Sequence, residues 1–315
     1  MNRIIDTISR LKVGTQTTFR NFTIFPLING GGKAPDYLTL DEAFAQKLAK
    51  ITEVSESGSV PELKLVNSGD KAVFLLDGEE LIGAKQNRVL NLSILAPAGK
   101  TIIIPVSCVE AGRWFHKSRE FSSAPHAHYA EGRAKKMAQV SESMKRGSHH
   151  SDQGAVWSDI GKKFGKLGAS SRTSAMSDIY NQPSVSVRLE DYVKAFSPAE
   201  VQAGAIFAID GKVFGAELFD SPETFKKLFP KLLRSYALDA LDRLISAPAD
   251  MPFPPAPVEE AHAFLKRIVG MEAKESPAVG EGQDIRLSGS GLTGAALIAG
   301  ARVVHLSTFQ IFDEK

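Results

Sequence analysis

The 315-residue chain is 43% apolar and 23% charged, the ordinary balance of a soluble globular protein and not of a disordered one. Its net charge of +2 supplies no global field to draw in nucleic acid or a membrane surface. No apolar run approaches the roughly 18 residues of a transmembrane helix, and a single cysteine, Cys108, excludes an internal disulfide.

Ile4, Ile5, Ile8 and Leu11 repeat at helical spacing and predict a first helix where a signal peptide would need a continuous apolar run, so a cytoplasmic protein is expected. Strands are expected at 17–22 and 23–28, before the loop Asn29-Gly30-Gly31-Gly32-Lys33. Thr39 followed by Glu42 is a capping box that predicts a helix to Ile51, burying Leu40, Phe44, Leu48 and Ile51. An antiparallel meander is expected from Glu62: strands at 62–66 and 72–76, a hairpin at Asp77-Gly78, and strands at 89–95 and 101–109 around Pro97-Ala98-Gly99.

Residues 116–180 break the pattern, with 11 Lys/Arg against 6 acidic residues and five of the seven histidines. Helices are expected at 131–145 and, capped by Asp152, at 153–166, on either side of the tip Gly147-Ser148-His149-His150. A strand at 184–187, a helix at 189–196 and a helix start at Ser197-Pro198-Ala199-Glu200 follow. Phe207-Ala208-Ile209-Asp210-Gly211 echoes Phe74-Leu75-Leu76-Asp77-Gly78; a recurring Asp-Gly turn is the simpler account, a diverged duplication the alternative. Ser221-Pro222-Glu223 opens a long helix that Pro230 should kink, and a proline-rich connector leads to a helix at 258–269 closed by Gly270. Strands at 284–287, 292–298 and 302–310 end the chain.

These elements predict an α+β protein with antiparallel β meanders in two halves, packed helices and a helical insertion. The expected division is a β-rich half at 1–115, a basic insertion or arm at 116–180, and an α+β half at 181–315 packed with the first as one domain.

The densest chemistry lies in 76–114. Glu79 and Glu80 follow a turn and should face opposite sides of the sheet, and Lys85, Gln86, Asn87 and Arg88 should alternate along a strand. Cys108 and Glu110 should share a face, with Arg113 and Trp114 at the strand end. Buried polar groups need partners or a ligand. Arg88, Arg113 and Lys85 suit phosphate or carboxylate, Trp114 suits a stacked ring, and Glu79, Glu80 and Glu110 suit hydroxyls or acid–base work, with Gln86, Asn87 and Cys108 completing a ligand site. The competing reading is an internal salt-bridge network that orders the turn.

Other signals are weaker. Cys108 as nucleophile would need His116 or His305 nearby and a lowered pKa, whereas a small buried hydrophobe is the simpler role. His126-Ala127-His128 and His149-His150 lack a carboxylate or cysteine pattern, so no metal and no cofactor are expected. His305 should be a satisfied sheet histidine. Gly289-Ser290-Gly291-Leu292-Thr293-Gly294 matches the dinucleotide fingerprint, but the 21 residues after it leave no room for a parallel sheet, so it is expected to be a turn between strands. Gly30-Gly31-Gly32-Lys33 lacks the spacing of a phosphate loop, and the basic segment carries no nucleic-acid module.

The run from Asp77 to Arg88, together with Ile104-Pro105-Val106-Ser107-Cys108-Val109-Glu110-Ala111-Gly112-Arg113-Trp114, resembles the ARG and Rhodanese-Phosphatase-superfamily-associated Protein domain family. Asp152-Gln153 with Trp157, Phe219-Asp220-Ser221 and Ser235-Tyr236 extend the likeness over most of the chain. The resemblance implies a context of ADP-ribose or nucleotide-derived metabolites and points to the same residues as the polar cluster. The expected function is therefore binding, with processing left open, of a small anionic ligand such as ADP-ribose. The alternative is a non-enzymatic scaffold or protein-interaction domain whose polar cluster is structural. Expected partners are the metabolite, a second copy of the chain or ADP-ribose-processing proteins, with no role for membrane or nucleic acid.

Overall fold

A computed structural model describes residues 1–30, 34–248 and 251–311. The expected Gly31-Gly32-Lys33 portion of the first glycine loop lies outside them. The fold is α+β, arranged as two compact units, one built from Met1–Pro35, Leu189–Pro277 and Gly282–Lys315 and the other from Asp36–Arg188 and Ala278–Glu281. No described helix is long and apolar enough to cross a membrane.

In the first unit an antiparallel sheet runs Lys12–Val13, Phe22–Ile28, Gln202–Ile209, Lys212–Phe219, Arg302–Gln310, Leu292–Ala299, Gln283–Gly289, Glu272–Pro277, with Thr17–Phe19 also on Phe22–Ile28. Both faces of its centre are covered, which is why Ala203–Ile209 is almost continuously apolar. Phe207 stacks on Tyr236 of helix Pro222–Ser246 at 3.9 Å, while Ile206 and Ala208 join Ile4, Phe264 and Ile268 in the core on the other side. Asp210 and Gly211 take φ values of 53° and 76°, the two left-handed residues of a tight hairpin. The glycine-rich run 289–294 likewise makes a hairpin turn, with Gly289 facing Leu292. His305 is the satisfied sheet histidine expected, its Nε2 2.9 Å from Glu217.

The second unit holds a six-stranded antiparallel sheet ordered Phe121–Ala127, Glu79–Gly83, Arg88–Leu90, Thr101–Cys108, Glu62–Asn67, Ala49–Glu53. A smaller sheet orders Ile94–Ala96, Ala72–Leu75, Tyr37–Thr39, the last pair parallel.

Several local expectations need correction. Asp77-Gly78 makes a tight turn but no hairpin, and its flanking strands enter different sheets. The Gly78 N–H donates to Leu90 O at 2.9 Å and its carbonyl accepts from the His128 N–H at 2.7 Å, so other strands occupy the turn's backbone. The helix opened by the Thr39 capping box stops at Ala45; Lys47 at φ 56° reverses the chain, and Ile51 lies in a strand opposite Leu65. Residues 184–187 are helical, within Pro183–Ala195: Val185, Leu189 and Tyr192 are buried at helical spacing while Val187 is 67% exposed. Ser197–Glu200 starts no helix, because the Gln202 side chain takes the Ala199 N–H at 2.9 Å and turns the chain into a strand. Within 116–180, residues Phe121–Ala127 form a strand that the polar composition concealed.

Candidate functional site

The polar cluster gathers at one end of the six-stranded sheet. Leu81 lies opposite Arg88, and Arg88 opposite Cys108, across three adjacent strands. Glu79 and Glu80 do not divide between solvent and core; they are 1% and 0% exposed because strand Phe121–Ala127 and helix Met176–Asn181 cover them. Ser123 Oγ donates to Glu79 at 2.9 Å. His126 Nε2 lies 2.7 Å from Glu80 Oε2, with its ring stacked on Tyr180 at 3.7 Å. The histidine considered as a metal ligand is thus engaged by a carboxylate.

Residues 84–87 form a bend where an alternating strand was expected. Gly83 at φ 133° starts it, and a Cβ there would stand 2.5 Å from Ser118 Oγ and 2.7 Å from Glu120 O. Ala84 at φ 38° continues the reversal. The bend exposes the carbonyls of Gly83 and Ala84 to Arg113, whose guanidinium is saturated. It grips Glu110 through two bonds of 2.8 and 2.6 Å and donates to Ala84 O at 2.5 Å, Phe115 O at 3.0 Å, and Gly83 O and Asn87 Oδ1 at 3.2 Å. Glu110 also accepts from the Asn87 N–H at 2.9 Å and from Thr173 Oγ1 at 2.8 Å. Asn87 Nδ2 reaches Ser177 Oγ at 3.1 Å and Glu80 Oε1 at 3.3 Å. One network therefore joins Thr173, Glu110, Arg113, Asn87, Glu80 and His126.

Burial alone would push the Glu110 carboxyl up, but the Arg113, Asn87 and Thr173 hydrogen bonds outweigh it and hold the group below its ordinary value of 4.5. A carboxyl depressed in the folded state contributes stability above its unfolded pKa, and that contribution is lost as pH falls through the folded pKa. The stability difference between wild type and Glu110→Gln should thus be full at pH 7 and shrink only below about 4.5. Urea unfolding at pH 7, 5, 4 and 3 checks this; a gap unchanged down to pH 3 contradicts it.

A second group of residues lies beside this network. Arg88 is fully buried, donating to Val60 O at 3.2 Å and to Asn87 O at 3.4 Å, while its Nη2 has no hydrogen-bond partner among the described residues. Burial pushes this guanidinium down from its ordinary value, with Cys108 and Glu53 opposing. Lys85 donates from Nζ to Ser57 O at 2.7 Å. Lys85 Nζ and Arg88 Cζ stand 5.3 and 5.8 Å from the ring of Trp114, which is 46% exposed. Gln86 Nε2 donates to Glu110 O at 2.9 Å, and its buried Oε1 has no hydrogen-bond partner among the described residues.

Glu53, which the sequence reading did not single out, completes the group. Its Oε1 accepts the Lys85 N–H at 3.2 Å, and its buried Oε2 has no hydrogen-bond partner among the described residues. The β-branched residues Ile51, Thr52 and Val54 around it carry a strand signal that could have found it.

Cys108 does not fit a nucleophile. Its strand ends there, and the thiol and the Glu110 carbonyl lie 3.3 Å apart. Gln153 bonds both the N–H and the carbonyl of Cys108, at 2.8 and 2.7 Å. Burial pushes the thiol up despite Arg88 nearby, opposite to what nucleophilic activation requires. In the basic segment, Arg133 and Lys136 are turned inward, and Lys136 Nζ is 2.5 Å from Asp77.

The family described as ARG and Rhodanese-Phosphatase-superfamily-associated Protein domain matches the chain over residues 10–309, and that description associates the domain with ARG and rhodanese-phosphatase-superfamily proteins. No curated protein and no solved structure matches.

Proposed function

We propose, for a chain that belongs to this family, that the end of the six-stranded sheet binds a small anionic ligand bearing a planar ring, of the class of ADP-ribose and other nucleotide-derived metabolites. The observation that carries the reading is the fully buried Arg88 guanidinium, one nitrogen unpartnered, beside the half-exposed ring of Trp114. A buried cation with an open donor is costly unless an acceptor meets it, and a phosphate oxygen is the strongest acceptor available. Lys85 adds the second positive charge and Trp114 the stacking surface. ADP-ribose is chosen among such ligands by reading ARG in the family description as ADP-ribosylglycohydrolase. Within this proposal Glu80, Asn87, Glu110 and Arg113 are the frame, since each already holds protein partners. The reading is accordingly one of binding, with no bond-breaking step assigned.

The scaffold reading is favoured by a separate observation: the saturated Arg113 network fixes a segment on which Trp114 and Phe115 stand 46% and 65% exposed, a surface suited to a protein partner. Calorimetry with ADP-ribose, AMP and inorganic phosphate decides between them. The ligand reading expects heat with ADP-ribose and about tenfold or greater weakening in Trp114→Ala, the size of one lost stacking contact, with inorganic phosphate little affected. Silence with all three compounds would leave the scaffold reading.

A further inference from the structure

We propose that Glu53 recognises a hydroxyl of the ligand whose anionic group meets Arg88, so that the site takes a hydroxylated phosphate, a sugar phosphate, in preference to a bare or alkyl phosphate. The inference rests on the ligand reading above and adds a substrate class to it.

Three side chains converge around Gly58. A Cβ placed on this residue would meet Lys85 Cδ at 3.2 Å, Glu53 Oε2 at 3.4 Å and Trp114 Cζ2 at 3.5 Å. The unpartnered carboxylate oxygen, the lysine stem and the edge of the indole thus surround one point. Gly58 lies at φ 78°, a left-handed conformation that lets the chain pass over them without a side chain. On either side of it, Ser57 O takes Lys85 Nζ and Val60 O takes Arg88 Nε, so both cations are tied to backbone carbonyls of the segment covering the site.

Glu53 and Arg88 are both buried, yet no ion pair within 4.0 Å joins them among the described residues, and each keeps one buried atom without a hydrogen-bond partner there, Oε2 on one side and Nη2 on the other. A buried acceptor and a buried donor, both unpartnered among the described residues and close enough for Glu53 to act electrostatically on Arg88, call for a ligand offering the reverse pair, an acceptor for the guanidinium and a donor for the carboxylate. Gln86 Oε1 is a second buried acceptor without a partner among the described residues. Of the possible donors, an ammonium would be drawn to Glu53 but repelled by Arg88 and Lys85. A hydroxyl satisfies the carboxylate without that repulsion. The charges agree: Arg88 and Lys85 against Glu53 leave one net positive charge for the anionic group.

The test compares ribose 5-phosphate with n-pentyl phosphate, which presents the same phosphate without hydroxyls, by calorimetry on the full-length protein. Ribose 5-phosphate should bind the wild type at least about tenfold more tightly, the scale of a hydrogen bond to a charged group. Glu53→Gln should weaken ribose 5-phosphate and strengthen n-pentyl phosphate, because it removes a negative charge facing the anion as well as the strong acceptor. A merely structural Glu53 would weaken both. Equal wild-type affinities overturn the hydroxyl inference and leave the anion site standing, and this comparison needs no variant to fold. Failure of both phosphates to bind overturns the anion site together with the inference.

Discussion

Replacing Arg113 with methionine is expected to destabilise the protein by about 3–5 kcal/mol, the range found when one partner of a buried ion pair is removed. The large value follows from what would be left behind. Glu110, buried and depressed in pKa, would lose both arms of its bidentate clamp and keep only the Asn87 N–H and Thr173 Oγ1. The carbonyls of Gly83, Ala84 and Phe115 would each lose a donor, and Asn87 Oδ1 would keep only the Gly83 N–H at 3.2 Å. Arg113→Lys should recover only a minority of the loss, since an ammonium cannot reproduce the planar fork that spans Glu110 and three backbone carbonyls. Urea unfolding at pH 7, compared by midpoint and slope, measures both variants. A loss below about 1 kcal/mol for methionine would mean that the network does not hold the sheet end, and the bend at 84–87 would need another explanation.

The sequence made some of this legible and hid the rest for identifiable reasons. Three helix starts whose partners lie within four residues formed as read: the Thr39–Glu42 capping box, the Asp152 N-cap bonding the Ala155 N–H, and the Ser221-Pro222 start of the long helix; Ser197-Pro198 did not, because Gln202 takes the Ala199 N–H. The same Asp-Gly dipeptide made a hairpin at 210–211 and only a turn at 77–78. The difference lies in Leu90 and His128, distant residues that take the backbone of Gly78. Val185 and Val187 suggested a strand because a four-residue window cannot separate alternation from the helical spacing that Leu189 and Tyr192 reveal. Counting charges marked the cluster, because such a density in an apolar region requires either a network or a ligand. It could not sort the residues, since sequence shows how many polar groups are present and not which partners each acquires. Arg88 and Arg113 look alike in the chain. In the fold one is saturated and the other keeps an open nitrogen.

That contrast gives the sharpest expectation. Arg88→Met should leave stability within about 1 kcal/mol of wild type while weakening ADP-ribose binding by a hundredfold or more, the scale of truncating a buried charged partner. The loss of the Val60 and Asn87 contacts, at 3.2 and 3.4 Å, opposes folding. Removal of a fully desolvated guanidinium whose Nη2 is unpartnered favours it, and a linear apolar side chain fills most of the space beside Cys108 and Trp114. A residue retained for folding should behave as Arg113 does, losing several kcal/mol on the same substitution. One retained for a ligand should give up little stability and most of the affinity, because its desolvation is tolerated in the free protein and relieved only by the bound anion. The pair of variants, measured side by side by urea unfolding and calorimetry, separates the two roles in one experiment. If Arg88→Met proved as destabilising as Arg113→Met with ADP-ribose affinity unaltered, Arg88 would belong to the frame, and the ligand reading would lose the observation on which it stands.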